Sequence, residues 1–210
     1  MKIEIRGTDE VRISGYVNAV ERDSRVLPAV MSRAAPGPFV EKVSAGAFKR
    51  AIVRNPNIRL LFNHEREIGS VGGGSLTLRE DNIGLYAEAS IADAEVVAAA
   101  RKGELRGWSF GFSGAQDKWE QYKEGIHRRT LADFELDEVS ILTKTPAYVG
   151  TSVELRSAEE SEQPGTREIR SCEDAAEVTE IPQTKQEKLP LNGHFLRKKQ
   201  LELLKLKGEI

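Results

Sequence analysis

Three polar side chains stand where the surrounding residues give them chemical meaning. His64 closes the apolar run Leu60-Leu61-Phe62-Asn63-His64-Glu65 and is one of only three histidines. A histidine at a strand end, beside an apolar layer, is placed for general-base work near neutral pH. Ser109 lies in Gly107-Trp108-Ser109-Phe110-Gly111-Phe112, between two aromatics and inside a pair of glycines. Those glycines remove side chains on either side and allow a second backbone to approach. Glu138 follows Asp137 in Glu135-Leu136-Asp137-Glu138-Val139-Ser140-Ile141. Serine, histidine and carboxylate on separate strands are the parts of a hydrolase with a serine nucleophile.

Each of these residues also has a plainer reading. His64 is equally read as a strand-end histidine with a structural hydrogen bond, Ser109 as an ordinary strand serine, and Glu138 as a solvated carboxylate at a strand start. Ser113 and Ser140 are rival nucleophiles, and Asp137 is a rival carboxylate on the opposite face of a regular strand. Arg106 is a candidate source of positive charge for an oxyanion, as are backbone N–H groups near the glycines. The run Gly-Trp-Ser-Phe-Gly is not the nucleophile elbow of the α/β-hydrolases, because no βαβ pattern surrounds it. Neither HxxxH nor HExxH occurs, so no zinc site is expected.

The elements that must position these groups are mostly strands. Alternation marks Met1 to Arg6, Val11 to Val17, and a hairpin of Ser75 to Leu78 with Leu85 to Ile91. Further strands are read at Ile58 to Phe62, Trp108 to Ser113, His127 to Phe134 and Glu138 to Leu142. Two short helices interrupt them. One runs from Ser44 to Arg54, with the serine as cap and Asn55-Pro56 as stop. The other runs from Asp93 to Lys102, capped by Asp93 and ended by Gly103. The pattern predicts a mainly β fold with peripheral helices, a closed or nearly closed barrel.

The 210 residues divide by composition. Residues 1–155 read as the folded domain. Residues 156–188 are acidic and poor in aromatic and large aliphatic side chains, and are expected to form a flexible linker. Residues 189–210 mix Leu with Lys and Arg and read as a basic amphipathic segment. A formal net charge of -2 argues against nucleic acid as a partner. The single cysteine, Cys172, allows no internal disulfide and suits a reducing compartment. No apolar run is long enough to span a bilayer, and the N-terminal residues read as a strand rather than a secretory signal.

Several motifs in order add a resemblance. They are Val43-Ser44-Ala45-Gly46-Ala47-Phe48, Leu61-Phe62-Asn63-His64-Glu65 with Ile68-Gly69, Asp81 to Leu85, Leu105 to Phe112, and Leu136 to Ile141 with Pro146-Ala147-Tyr148. Together they resemble the prohead maturation proteases of tailed bacteriophages, over about residues 10 to 155. That family is similar in fold to herpesvirus assemblin, a serine protease built on a β-barrel with surrounding helices. The resemblance implies His64 as base and Ser109 as nucleophile. Assemblin-like enzymes place a second histidine third. Here the matching strand offers Glu138, and His127 is the alternative histidine.

The resemblance also implies a serine endopeptidase acting inside the assembling prohead in the host cytoplasm. It would cut a scaffold protein, or the scaffold domain of the major capsid protein, and its own chain. It implies no cofactor or metal and no nucleic-acid or membrane partner, and leaves homo-oligomerisation open. The linker of residues 156–188 would lack stable structure and be the place of self-cleavage. Two rival readings are a non-catalytic scaffold fused to a degenerate protease domain and a small barrel that binds a ligand.

Overall fold

The computed structural model describes residues 1–143, 167–173 and 177–181. The described chain is mainly β, with eleven strands and two α-helices. In order they are β1 (Lys2–Arg6), β2 (Glu10–Ala19), β3 (Phe39–Val43), α1 (Ala47–Arg54), β4 (Arg59–Phe62), β5 (Arg66–Ser70), β6 (Leu76–Glu80), β7 (Gly84–Ile91), α2 (Ala94–Arg101), β8 (Gly107–Lys123), β9 (Ile126–Leu142), β10 (Glu168–Glu173) and β11 (Glu177–Ile181). They form two sheets, ordered β11-β1-β2-β7-β6 and β10-β8-β9-β4-β5, with β3 also paired to β9. The mainly β fold with two peripheral helices expected from the sequence is thus present, with two sheets around one core and the curl of a half-barrel.

The long strand β9 organises the second sheet. One edge pairs antiparallel with β8. The other edge is shared. Its first part takes β3 in parallel, with Phe39 opposite His127, and its last part takes β4 in parallel, with Leu61 opposite Ser140. Helix α1 is the crossover from β3 to β4, two strands laid end to end on the same edge of β9. This crossover carries the chain after β4 to the Ile141 end of β9, where His64 begins its turn.

Alternation sets the faces. Trp108, Phe110 and Phe112 of β8 point into the core, as do Val139 and Ile141 of β9 and Leu60 and Phe62 of β4. Phe48 anchors α1 among Phe110 and Phe134, each at a ring-centroid distance of 5.2 Å. Burying such a ring contributes about 1.5–3 kcal/mol.

Local signals held for α2 and needed correction for α1. Asp93 accepts from the N–H groups of Glu95 and Val96, both at 3.1 Å, and Gly103 follows the helix with φ 65°. Helix α1 begins at Ala47, with Gly46 at the cap and no side-chain cap of its own. Ser44 does not cap it. The carboxylate of Glu80, arriving from β6, accepts from the N–H groups of Gly46 (2.5 Å) and Lys49 (2.6 Å). A tertiary carboxylate thus does the work that a local serine was expected to do.

The flexible linker expected over residues 156–188 does not hold throughout. Residues 168–173 pair antiparallel with β8, and residues 177–181 pair parallel with β1. Sheet edges supply the hydrogen bonds that the segment's own composition does not. The rest of that stretch and the basic segment 189–210 lie outside the described residues.

Candidate active site

A one-residue bulge turns the carboxylate into place. Gly111 pairs with Glu138, but Phe112 pairs with Leu136, so Asp137 is the extra residue. Leu136 and Val139 both reach the core, which puts Glu138 and Ser140 on the opposite face. In a regular strand Leu136 and Glu138 would share a face; the bulge reverses the phase. Asp137 accepts from Ser113 Oγ at 3.2 Å. Its burial raises the carboxyl pKa, against the lowering effect of that hydrogen bond. Ser113 is thereby a partner of the bulge residue.

His64 reaches the same face by a tight turn. Asn63 and His64 both adopt positive φ, 54° and 64°. Two consecutive left-handed residues outside glycine are uncommon, and such conformations concentrate at functional sites. Asn63 secures the turn. Its N–H donates to Ile141 O (2.9 Å), its side-chain Oδ1 accepts from the N–H of Thr143 (2.9 Å), and Nδ2 donates to Thr143 Oγ1 (3.1 Å). The turn is therefore tied to the end of β9, and the imidazole folds back over that strand.

The result is a close pair. His64 Nδ1 lies 2.6 Å from Glu138 Oε1, with the histidine side chain 11% exposed and the glutamate fully buried. Contact through Nδ1 leaves Nε2 as the nitrogen turned away from that carboxylate. His64 Nε2, Glu138 Oε2 and Ser140 Oγ are buried and have no hydrogen-bond partner among the described residues. Buried polar atoms without partners are costly, and three of them gathered on one face call for an explanation beyond packing.

Ser109 occupies the same face, opposite Ser140 on β9 and fully buried. Ser109 and His64 are not on neighbouring strands. β8 and β4 flank β9 on either side, about 10 Å apart by strand spacing, and the imidazole reaches Glu138 on the strand between them. The Ser109 hydroxyl donates to the carbonyl oxygen of Arg170 at 2.6 Å. The third site residue, Glu138, also pairs with the guanidinium of Arg167. Gly111 makes that approach feasible: a Cβ there would lie 2.7 Å from Arg167 Nε and 3.0 Å from Glu138 Cγ.

The structure thus brings His64 and Glu138 into contact and sets Ser109 on the same face. His127 sits at the other end of β9, where its N–H donates to Pro38 O, and takes no part. Arg106 is exposed, and its N–H pairs with Leu142 O. Among the described residues the cation at Glu138 is Arg167. The sequence reading missed Asn63, Arg167, Arg170 and Glu41. Only Asn63 carried a signal, since asparagine tolerates the left-handed conformation beside a histidine.

Chemically, a histidine held at Nδ1 by a buried carboxylate, with Nε2 unbonded among the described residues, is the arrangement that can accept a proton, and a serine on the same face is a residue type that such a base can activate. Among the described residues no helix is long and apolar enough to cross a membrane. The same residues include no group of three or more His, Cys, Asp or Glu suited to a metal ion. The family model of the caudovirus prohead serine proteases matches residues 1–164. No curated protein and no solved structure matches the chain.

Proposed function

The chain belongs to the caudovirus prohead serine proteases, and we propose that His64, Ser109 and Glu138 are the catalytic residues with which it processes its precursor. As a member of that family it is a serine endopeptidase of phage capsid maturation, acting in the prohead on capsid or scaffold protein.

Glu138 holds the imidazole in one orientation and favours the imidazolium that forms during acyl transfer. His64 takes the proton of Ser109 through Nε2. The Ser109 oxygen attacks the carbonyl carbon of an extended peptide, and the oxyanion is met by backbone N–H groups. His64 then protonates the leaving amine, and water hydrolyses the acyl-enzyme. The substrate is a scaffold protein, or the scaffold domain of the major capsid protein, and the enzyme also cuts its own chain. It works in the host cytoplasm, sealed in the assembling shell.

One observation carries this reading: the 2.6 Å contact between His64 Nδ1 and a fully buried Glu138, on the face that also holds Ser109. The test is co-expression with the scaffold–capsid precursor. Ser109→Ala and His64→Ala are each expected to leave the precursor uncut while particles still assemble. A Ser109→Ala variant that processes the precursor overturns the assignment.

A further inference from the structure

Strand β10 lies along the edge of β8 with Ser171 opposite Ser109 and Arg170 opposite Phe110. It begins beyond the residues matched by the family model, which end at 164. Without it, the first part of β8 has an unpaired row of N–H and C=O groups, the kind of edge to which an extended peptide adds as a strand. The residue seated beside the nucleophile is specific. Ser109 Oγ is 2.6 Å from the Arg170 carbonyl oxygen. With a C=O bond of about 1.2 Å, the carbonyl carbon lies within about 4 Å of Oγ, which makes the Arg170–Ser171 peptide unit the one beside the hydroxyl.

The Arg170 side chain leaves on the core side and is buried. Its Nε donates to Glu41 Oε1 at 2.5 Å and its Nη2 to Glu41 Oε2 at 2.7 Å, the fork-to-fork arrangement that selects arginine. The Phe112 ring lies under the guanidinium, 5.4 Å from its centre. Glu41 and Asp117 share one cation of the domain core, Arg129, through bonds of 3.1 and 2.5 Å. Glu168 arrives on the same strand as Arg170 and bonds both guanidiniums, so three carboxylates then face two arginines, and the preference for arginine rests on the paired bonds from Glu41 and on the Phe112 face. Burial opposes the charge on Arg129, yet its ion pairs with Glu168, Glu41 and Asp117 hold its pKa above the ordinary arginine value. Arg129 is therefore a permanent wall of the pocket.

We propose that the edge of β8 is the substrate groove, that residues 168–173 occupy it as the enzyme's own substrate, and that Glu41 selects the arginine preceding the self-cleaved bond, Arg170–Ser171. This rests on the protease reading above. The Ser109 hydroxyl gives its proton to His64 Nε2, and its oxygen bonds to the Arg170 carbonyl carbon. The C–N bond to Ser171 breaks, and the Ser171 nitrogen leaves as an amine with the proton held by His64. Water then adds to the ester, restores the Ser109 hydroxyl and leaves a carboxylate on Arg170.

The test is intact-mass analysis of the full-length chain over time, in parallel with precursor processing. The wild type is expected to yield fragments 1–170 and 171–210, and Ser109→Ala to stay whole. Arg170→Ala and Glu41→Gln are each expected to slow that cut by at least about tenfold, since each strands a buried charge. Because Glu41→Gln perturbs a buried cluster, a synthetic peptide of residues 165–176 serves as a second probe. It should inhibit precursor processing by the wild type, and its Arg170→Ala form should not. Ser109-dependent fragments ending elsewhere, unaffected by Arg170→Ala, overturn the site and the pocket while leaving a self-cleaving protease. An intact chain that still processes its precursor overturns the self-substrate assignment alone. Failure of both reactions overturns the protease reading itself.

Discussion

His64 and Glu138 meet at 2.6 Å although 74 residues separate them, and two backbone irregularities make the meeting possible. One is the left-handed turn at Asn63 and His64; the other is the bulge at Asp137. A regular β4 end would carry the histidine past the sheet, and a regular β9 would point the glutamate into the core. Both irregularities cost stability, and both are fixed by side-chain bonds, Asn63 to Thr143 and Ser113 to Asp137.

Replacing Ser109 or His64 by Ala should lower precursor processing by about a thousandfold or more, the scale of loss when a member of such a constellation is removed. Ser113→Ala should be far milder, because that hydroxyl supports the bulge. Ser140→Ala should also be milder. Gel analysis of co-expressed precursor reads all four, and circular dichroism shows that the fold is kept.

Glu138→Gln should preserve the fold and reduce the rate by about a hundredfold to ten-thousandfold, because an amide neither orients the same tautomer nor balances the imidazolium. Single-turnover cleavage of a scaffold peptide measures it. A rate within about twofold of wild type would make Glu138 a purely structural partner.

Asn63→Ala should destabilise the protein by about 1–3 kcal/mol, combining a strained left-handed residue with the lost bonds to Thr143. Asn63→Gly restores backbone freedom without the latch, and should recover part of the stability but little of the activity. Urea melts and cleavage rates separate the two effects. Equal recovery of both would show that the latch contributes nothing beyond the turn.

Asp93 caps α2 and pairs with Arg66, which follows the His64 turn on β5. The Arg66 hydrogen bond holds its carboxyl pKa down to about 2, from an ordinary 3.8. Above the ordinary value the carboxylate is ionised in both folded and unfolded chains, and its contribution is complete. As pH falls below that value toward about 2, the unfolded chain takes up the proton first and the contribution disappears. Asp93→Ala should cost about 1–2 kcal/mol at neutral pH, mostly from the cap, with the pair reduced by solvent screening. The difference between variant and wild type in denaturant melts should shrink as pH drops through that window.

Much of the architecture was legible in the sequence. Alternating apolar residues fixed most strands and their faces, because the pleat has period two and one face must be buried. Asp93 and Gly103 announced α2, since those side chains act on their own backbone. His64, Ser109 and Glu138 were legible as candidates because a polar residue in an apolar or glycine-rich run stands out locally.

The rest depended on partners distant in sequence. Glu80, not Ser44, caps α1, because the carboxylate that reaches those N–H groups comes from another strand. The tail residues 168–173 and 177–181 looked too polar to order, and by themselves they bury little. Sheet edges supply the ladder that composition does not reveal, so only the tertiary structure could place Arg170 against Glu41 and its carbonyl against Ser109. The sequence by itself determined which residues have the chemistry. The fold decided which of them meet, because bulges, left-handed turns and open strand edges take their energy from contacts that no local pattern encodes.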